Sequence, residues 1–477
     1  MNISDDQLQS IINSVVKRVI SQELPAVRSE SSIPHDQGDW GVFHDMNDAI
    51  LAAHEAFLKY QNFTIQDRKR FIDLIRNVCL DFKEEFSQMA VEQTKMGRIE
   101  HKIKKHINVA NHASGIEFLQ PQSWSGGNGL AVQDYAPWGV IGNISPSTHP
   151  SPTMLENIIM QLAGGNTITF NPHPSAKNLN AYVIQRCNQY MVKNGAPENL
   201  VTCVGEPTLE SAEIMFKHPL TKLLSITGGP GVVEAAMKCN KPVIAAGPGN
   251  PPVLIDETAD LQLAAKEITI SASYDNNILC IAEKEVFVVE SVFEAFMQLF
   301  EKEGNYKLST ELMDTLANKA LDLQGKHYLI NRDYVGKNAD VLAKSLGINL
   351  SDNTPLLFGE TDANHPWVVA EQMTSCIPVV KVKDFEEGIQ RAVKAEHGFE
   401  HTASIFTRDM NRATVFAKKM NTDIIVINGG TLRGDGGDFG EAYFSHTIAS
   451  PTGQGICNPR DFCRRRRVMT SGAMRFV

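Results

Sequence analysis

The stretch WGVIGNISPSTHPSPTMLENIIMQLAGGNTITF, residues 138–170, decides the fold of this chain. It begins with an apolar, β-branched run that is typical of a strand, and NTITF at 166–170 is a second such run. Apolar side chains between the two runs follow the spacing of one helix face: Leu155, Ile158, Ile159 and Leu162. The glycine pair at 164–165 is a helix stop signal. A strand, a helix and a second strand in this order predict a βαβ unit.

The same alternation continues toward the C-terminus. Further strand patterns lie at 199–205, 222–226 and 241–247, and helix patterns at 177–195 and 232–238 precede the first and the last of them. Two amphipathic helix patterns, at 45–61 and 67–82, precede the first strand. A second α/β region runs from Pro252 to residue 446, and within it a helix is expected to end at the asparagine pair 276–277. The sequence therefore predicts an α/β fold with doubly wound parallel sheets.

Composition limits the function. The chain has 477 residues, 42% hydrophobic and 21% charged, which suits a globular protein of two or three structural units. A formal net charge of −10 argues against nucleic-acid binding, and the four arginines at 464–467 are interpreted as a solvated or interface strand. No apolar window approaches the roughly 18 residues of a membrane span. The N-terminus also lacks a secretory signal pattern, so a cytosolic protein is expected.

A glycine turn, defined here as residues 227–231 (TGGPG), stands where a strand pattern passes into a helix pattern. Such a turn can hold phosphate at the helix N-terminus. It is not the GxGxxG fingerprint, so both dinucleotide binding and a plain tight connection stay open from these residues alone.

Cys280 is a candidate nucleophile because of its place in DNNILCIAEKE, residues 275–285. It follows an Asn-Asn turn signal and precedes a strand pattern, so it is expected in a loop, where functional side chains are often presented. A packing role also stays open, since most cysteines are small buried hydrophobes. The other cysteines fall in helix, strand, turn or tail patterns: Cys79, Cys187, Cys203, Cys239, Cys376, Cys457 and Cys463. Without a CxxC pair, neither a metal site nor a disulfide framework is predicted.

Several motifs, taken in order, resemble the aldehyde dehydrogenase superfamily from about residue 40 to the end. They are PWGVIGNISPSTHP, QLAGGNTITFNPHPSAKN, SITGGPGVV, AAGPGNPPVLID, DNNILCIAEKEVF and SHTIASPTGQGIC. The resemblance is specific to the CoA-acylating branch, in the form found in bacterial microcompartments. It implies a Rossmann-like NAD/CoA-binding domain, an α/β catalytic domain and a small β oligomerisation flap. The expected boundaries are 40–118 with 140–251, then 252–446, and for the flap and tail 119–139 with 447–477.

The resemblance also implies a mechanism. Cys280 would be the nucleophile, its backbone N–H one oxyanion donor, and NAD⁺ the hydride acceptor. Hydrolytic members carry a glutamate base at a position that Ala246 occupies here, with no acid before Asp256. Water is a poor nucleophile without a base, whereas a thiol attacks thioesters well. The acyl group is therefore expected to pass to coenzyme A.

Site residues are implied by the same resemblance. Segment 146–150 reads Pro-Ser-Thr-His-Pro where the branch commonly has Pro-x-Thr-Asn-Pro, so Thr148 or His149 would complete the oxyanion hole. A plain helix-start role for His149 also stays open. The expected cofactor contacts are Ser145, Pro146, Asn171, His173, Pro174, Thr227, Gly228, Gly229, Gly247 and Glu371. Asn171 replaces a lysine that often binds the adenine ribose, and NAD⁺ and coenzyme A are expected to use the cleft in turn.

Residues 1–22 predict an amphipathic helix, and residues 23–39 read as a linker. The apolar stripe of the helix consists of Leu8, Ile11, Ile12, Val15, Val16, Val19 and Ile20. From the residues alone, this arm packs on its own protein or subunit partner, or docks in a partner groove. Microcompartment members use such an extension as an encapsulation peptide. The resemblance thus implies a shell-protein partner, a place inside a microcompartment of the bacterial cytoplasm, and a homo-oligomer.

Three functions are compared. A CoA-acylating dehydrogenase of a short aliphatic aldehyde, propionaldehyde or acetaldehyde, is favoured by Ala246. The alternatives are a hydrolytic NAD(P)-dependent dehydrogenase that releases a carboxylate, and an inactive shell-binding scaffold, against which the intact DNNILC segment argues. Ile278, Leu279 and Ile281 flank Cys280 and are candidates for shaping the aldehyde pocket.

Overall fold

The computed structural model describes residues 38–324 and 327–476. Its helices are α1 Met46–Tyr60, α2 Ile65–Asp81, α3 Lys83–Thr94, α4 Ile99–His112, α5 Pro150–Ala163, α6 Lys177–Val192, α7 Leu209–Lys217, α8 Pro230–Met237, α9 Leu261–Ser273, α10 Glu290–Lys302, α11 Thr310–Ala320, α12 Ala339–Ser345, α13 Pro366–Val369, α14 Phe385–Ala395 and α15 Met410–Met420. The helix predicted over residues 1–22 and nearly all of the linker at 23–39 lie outside the described residues.

The strands are β1 Val42–Phe43, β2 Gln122–Gly126, β3 Gly129–Pro137, β4 Val140–Ile144, β5 Thr167–Asn171, β6 Val201–Val204, β7 Thr221–Thr227, β8 Val243–Ala246, β9 Pro252–Ile255, β10 Glu285–Val289, β11 Tyr306–Lys307, β12 Leu321–Gln324, β13 His327–Ile330, β14 Leu357–Thr361, β15 Cys376–Val382, β16 Thr402–Phe406, β17 Ile424–Ile427, β18 Ile448–Ala449, β19 Gly455–Ile456 and β20 Cys463–Met469. No helix within residues 38–324 and 327–476 is both long and apolar enough to cross a lipid bilayer.

The first sheet has six parallel strands in the order β1-β6-β5-β4-β7-β8. The predicted unit β4–α5–β5 lies at its centre, which confirms the fold class. All 14 residues of α5 are buried, whereas the sequence suggested one apolar face. The reason is that α2, α4 and α6 pack around it. Strand order reverses between β4 and β7, and ligands of such sheets bind beyond the carboxyl ends at this switch point.

The second sheet has seven parallel strands in the order β11-β14-β15-β10-β9-β16-β17. Alternate residues of β9 enter two different apolar clusters: Val253 and Ile255 on one face, and Leu254 on the other. A parallel strand covered on both faces is expected to be apolar throughout, as β9 is. This buried centre supports the segment that carries Cys280, because β10 follows that segment directly.

A third, antiparallel sheet has the order β2-β3-β20. The arginine run at 464–467 lies in β20 and is exposed, as a solvated strand would be. Arg466 forms a two-pronged ion pair with Asp134 of β3, with nitrogen–oxygen distances of 2.7 and 3.0 Å. Two short antiparallel hairpins, β12–β13 and β18–β19, complete the strands.

Candidate active site

A cavity of about 550 Å³ opens at the switch point of the first sheet. Its wall includes the end of β4, the glycine turn and Cys280. Every predicted catalytic residue and cofactor contact lines this one cavity: Ser145, Pro146, Thr148, His149, Asn171, His173, Pro174, Thr227, Gly228, Gly229, Gly247, Cys280 and Glu371. The fold therefore brings together residues from six separate segments of the sequence, and their individual roles remain proposals.

The glycine turn connects β7 to α8. Gly229 caps α8, and Pro230 stands at the first helical position, where its missing N–H costs no hydrogen bond. A side chain placed on Gly229 would meet no atom within 4 Å, so the backbone here faces open space. A ligand phosphate can approach such a helix start closely. The residues present thus fit a dinucleotide.

Two other predicted contacts lie where β5 ends. The amide of Asn171 is occupied: its Oδ1 accepts from Ser211 Oγ at 2.6 Å and its Nδ2 donates to the Thr208 carbonyl at 3.5 Å. His173 Nδ1 lies 2.8 Å from Ser175 Oγ, and burial lowers the pKa of His173. Asn171 therefore ties β5 to the start of α7, in addition to lining the cavity.

The nucleophile loop, defined here as residues 274–284, joins α9 to β10. The predicted helix does not reach the asparagine pair; α9 ends at Ser273, and residues 275, 276 and 277 have φ of 49°, 57° and 64°. Aspartate and asparagine tolerate this left-handed region better than other non-glycine residues. Three such residues in succession turn the chain sharply, which explains the Asp-Asn-Asn sequence and delivers Cys280 to the cavity.

Lys284 holds the nucleophile loop from within. Its Nζ donates to the carbonyl oxygens of Asn277 and Leu279, both at 3.0 Å, and to Asn277 Oδ1. The side chain is fully buried, and burial lowers the pKa of Lys284 to about 8, while the Glu371 carboxylate favours its charged form. The carbonyl groups of the loop thus surround a buried cation next to the segment that carries Cys280.

Asp275 anchors the same loop to α4. Its Oδ2 lies 2.5 Å from Lys105 Nζ and 3.1 Å from Lys102 Nζ, and its Oδ1 accepts from the Arg98 amide at 2.7 Å. Burial opposes the charged carboxylate, but the two ammonium groups outweigh it and lower the pKa of Asp275. Arg98 also donates through Nε to Asn276 Oδ1 at 2.8 Å. Buried charges that are paired and hydrogen-bonded in this way hold a loop in one arrangement.

Cys280 is partly exposed, and no disulfide involves it. Burial raises the pKa of its thiol to about 12, and the carboxyl groups of Asp435 and Glu371 add to this, so the ligand-free protein holds a protonated thiol. A side chain on Gly249 would come within 2.6 Å of the Cys280 carbonyl oxygen. Only glycine lets the β8–β9 connection pass this close to the nucleophile.

Carboxylates are scarce around the cavity. Ala246, the last residue of β8, lines it at the position where a hydrolytic base is expected by resemblance. Asp256 is engaged elsewhere, with Thr258, Thr407 and Arg412. Among the described residues, Glu371 is the one carboxylate in the wall, and its Oε1 accepts from the Gly249 amide at 3.1 Å.

Sequence reasoning missed several wall residues. His446 lines the cavity and its ring stacks on that of His149, with centroids 5.3 Å apart and planes 15° apart. Its place in the motif SHTIASPTGQGIC was the available signal.

Of the residues predicted to shape the aldehyde pocket, Ile278 lines the cavity, whereas Leu279 and Ile281 pack into an apolar cluster with Tyr274. Only Ile278 of the three flanking residues is placed to touch an aldehyde.

The chain belongs to the aldehyde dehydrogenase family, whose profile matches residues 41–440. It is 40% identical over 473 residues to the acetaldehyde dehydrogenase (acetylating) EutE of Salmonella typhimurium, an alignment that covers 98% of this chain and 100% of the relative.

Two solved structures are similar throughout. One is the propionaldehyde dehydrogenase of Rhodopseudomonas palustris with bound CoA and an acylated cysteine (TM-score 0.89, 37% identity, 92% of this chain and 99% of that chain). The other is the propionaldehyde dehydrogenase of the Clostridium phytofermentans fucose utilisation bacterial microcompartment (TM-score 0.89, 39% identity, 92% and 100%). The resemblance inferred from the motifs is thereby confirmed.

Proposed function

We propose that this chain oxidises a short aliphatic aldehyde, such as acetaldehyde or propionaldehyde, to an acyl-CoA with NAD⁺ as hydride acceptor. One observation carries the choice of acyl acceptor. Ala246 lines the cavity that contains Cys280, where a hydrolytic enzyme would present a carboxylate base. The names of the similar proteins, acetylating or CoA-bound, support the same choice.

Cys280 performs the covalent chemistry. Its Sγ, once deprotonated, adds to the aldehyde carbon, so a carbon–sulfur bond forms and the carbonyl oxygen becomes an oxyanion. The Cys280 backbone N–H and one side chain of the 145–149 segment, Thr148 or His149, stabilise that oxyanion. Lys284 and Asp275 hold the nucleophile loop, and with it Sγ, in one position. This reduces the conformational entropy that must be lost to reach the transition state.

The nucleotide is held by other residues of the same cavity wall. The glycine turn takes its phosphates, while Pro174 and His173 lie on the adenosine side and Glu371 on the ribose side. When bound, NAD⁺ supplies the acceptor for the hydride that leaves the tetrahedral carbon. What remains on Cys280 is a thioester, which the protein must keep from water.

The thioester is released by a second thiol. Without a general base, water attacks thioesters slowly, whereas a free thiol has a pKa of about 8.5 and is a few per cent thiolate at neutral pH. Glu371, whose Oε1 accepts from the Gly249 N–H at 3.1 Å, is assigned here to the nicotinamide ribose and not to activation of water. Transfer to coenzyme A regenerates the Cys280 thiol.

The test measures NADH and acyl-CoA together, with propionaldehyde or acetaldehyde as substrate. We expect turnover that depends on CoA, one acyl-CoA for each NADH, and loss of both products in Cys280→Ser. Full-rate NADH formation without CoA, with a free carboxylate as product, would instead establish the hydrolytic alternative. An enzyme without any NADH formation would establish the inactive scaffold.

Ala246→Glu tests directly whether the absence of a carboxylate at position 246 determines the acyl acceptor. It restores a carboxylate at the end of β8 and is expected to increase the CoA-independent share of turnover. Ala246→Gln, which has similar size and no base, is its matched control. Equal partition between water and CoA in both variants would contradict the role given to this position.

The finer assignments belong to the same proposal. We propose that residues 1–22 bind a microcompartment shell protein in the bacterial cytoplasm. For the rest of the chain, we propose an NAD⁺- and CoA-binding domain at 40–118 with 140–251 and a catalytic domain at 252–446. The segments 119–139 and 447–477 are proposed to form the oligomerisation flap and tail. The origin of one similar enzyme in a bacterial microcompartment supports the first of these. Deletion of residues 1–22 is expected to abolish co-purification with shells and leave acyl-CoA formation unchanged. Lost activity would show that this segment packs on the enzyme instead.

A further inference from the structure

Lys105, on α4, lies behind the cavity wall and touches His149. It is 1% exposed, and its Nζ lies 2.9 Å from His149 Nδ1 as well as 2.5 Å from Asp275 Oδ2. Burial lowers the pKa of Lys105 to about 8 although Asp275 favours its charge, so it is mostly an ammonium at neutral pH. An ammonium group has donors only. His149 Nδ1 must therefore accept this hydrogen bond.

The proton of His149 is consequently on the other nitrogen. Burial, together with Lys105 and His446, holds the pKa of His149 well below its usual range, so the ring is neutral and carries one N–H group. With Nδ1 as acceptor, that group is Nε2–H. Stacking on His446 fixes the ring plane, and the Lys105 contact fixes which edge faces the cavity.

The Nε2 edge is free to act on a substrate. Nε2 has no partner among the described residues and is not one of the buried, unpaired atoms, so it opens on the cavity that His149 lines. Two other nitrogen donors of the wall are less available. The Asn171 amide donates within the protein, and His446 buries its Nδ1 while its Nε2 lies 3.9 Å from Asp435.

We infer that His149 Nε2–H is the side-chain donor of the oxyanion hole, and that Lys105 is a positioning residue that fixes the required tautomer. The inference deepens the proposed function and rests on it. As the Cys280 sulfur bonds to the aldehyde carbon, the carbonyl oxygen gains negative charge and accepts from Nε2–H, with no proton transferred. An asparagine, common at this position in the branch, would donate through its amide N–H and would not need a residue such as Lys105 to fix its protonation.

The deciding measurement is the rate of the NADH burst in a single turnover with aldehyde and NAD⁺ but without CoA, at neutral pH. His149→Ala removes a whole donor and should slow the burst about 10²-fold or more. His149→Asn restores a donor and should stay within about fivefold of the parent. A burst equally slow in both variants, or unaffected in His149→Ala, would overturn the donor assignment.

The role of Lys105 is tested in two backgrounds. Lys105→Met should slow the burst about tenfold in the parent, since only part of the oxyanion interaction is lost. In the His149→Asn background it should have almost no further effect, because an amide has no tautomer to fix. An equal loss in both backgrounds would show that Lys105 acts on the fold and not through His149.

Lys102→Met is the matched control. It removes a second buried ammonium beside Asp275, but Lys102 reaches the Thr148 carbonyl at 3.2 Å and not the His149 ring. Its effect should be the same in the two backgrounds. A Lys102→Met loss that vanished in the His149→Asn background would contradict a role specific to Lys105.

A spectroscopic readout is independent of turnover. Nitrogen-15 NMR of the free enzyme, assigned with His149→Asn, should show Nδ1 unprotonated and Nε2 protonated, with this preference weakened in Lys105→Met. A proton on Nδ1 in the parent would overturn the inference. If the burst is normal but no acyl-CoA forms when CoA is added, the proposed acceptor is wrong, while the burst and the ring shifts still decide the role of His149.

Discussion

The nucleophile loop and the glycine turn line the same cavity and are held in place in different ways. Buried cations bind the loop through its carbonyl groups and Asp275, so its shape depends on side chains more than a hundred residues apart in sequence. Among the described residues the hydrogen bonds of the turn are made by backbone, such as Val232 N–H to the Gly229 carbonyl at 3.2 Å, and Gly229 faces open space. Under the proposed mechanism the difference is chemical. The loop forms a covalent bond and must hold one atom still, while the glycine turn admits NAD⁺ and CoA one after the other.

Removing the central cation of the loop should have the largest effect. In Lys284→Met, three buried acceptors lose their donor, which is expected to cost about 3 kcal/mol of unfolding free energy. The freed loop should also lower kcat about 10²-fold, because a small misplacement of the nucleophile is enough. Chemical denaturation and steady-state kinetics measure the two effects.

Lys238→Met provides the control for that variant. Lys238 is exposed and pairs with Glu234 one helical turn away on α8, near the glycine turn. Its loss should change neither stability nor kcat measurably, since exposed ion pairs contribute little. If both lysine variants had the same small effect, the loop would not depend on its buried cation.

Gly249→Ala should have the next largest effect. The added methyl group would lie 2.6 Å from the Cys280 carbonyl oxygen and 3.1 Å from the His401 ring, so the loop has to move. We expect kcat to fall about 10- to 100-fold with little change in KM for NAD⁺. Gly231→Ala, whose methyl group meets nothing within 4 Å, is the control. A normal kcat in Gly249→Ala would show that the loop yields easily.

The glycine turn and the nucleophile loop could be located from the sequence, but the buried lysines that hold the loop could not. The glycine turn and the cysteine loop are local patterns, and the resemblance to the aldehyde dehydrogenase superfamily assigned both to one site. The lysines of α4 could not be recognised as buried, because IEHKIKKHINVANH reads as a solvated helix. Lys105 is buried by its ion pair with Asp275, which is 170 residues away. Such a contact follows only from the tertiary arrangement.

The left-handed segment, residues 275–277, could be predicted from the sequence only in part. Asp-Asn-Asn was recognised as a turn signal, and its residues are those that tolerate positive φ. The predicted helix nevertheless extended too far, because the periodic apolar pattern continues up to Tyr274. Three successive left-handed residues are rare, and here they are stabilised by Arg98, Lys284 and Asn338, none of which a local pattern connects to the turn.

The pH dependence of Cys280 alkylation comes next. In the ligand-free protein the pKa of this thiol is raised to about 12, so its thiolate fraction should increase about tenfold with each pH unit across the neutral and mildly alkaline range. Iodoacetamide labelling at Cys280, followed by peptide mapping, measures this rate, and Cys280→Ser identifies the peptide. A rate that levelled off near pH 8 would mean that the thiol is already activated before ligands bind.

Gly229→Ala should have the smallest effect. Its φ of −64° suits any residue, and the methyl group would meet no protein atom, so stability should be unchanged. The methyl group would project into the space offered to phosphate, and we expect KM for NAD⁺ and for CoA to rise by no more than about threefold with kcat retained. Thermal unfolding and separate titrations of the two nucleotides measure this. A large fall in kcat would show that the turn, like the nucleophile loop, must keep one fixed shape.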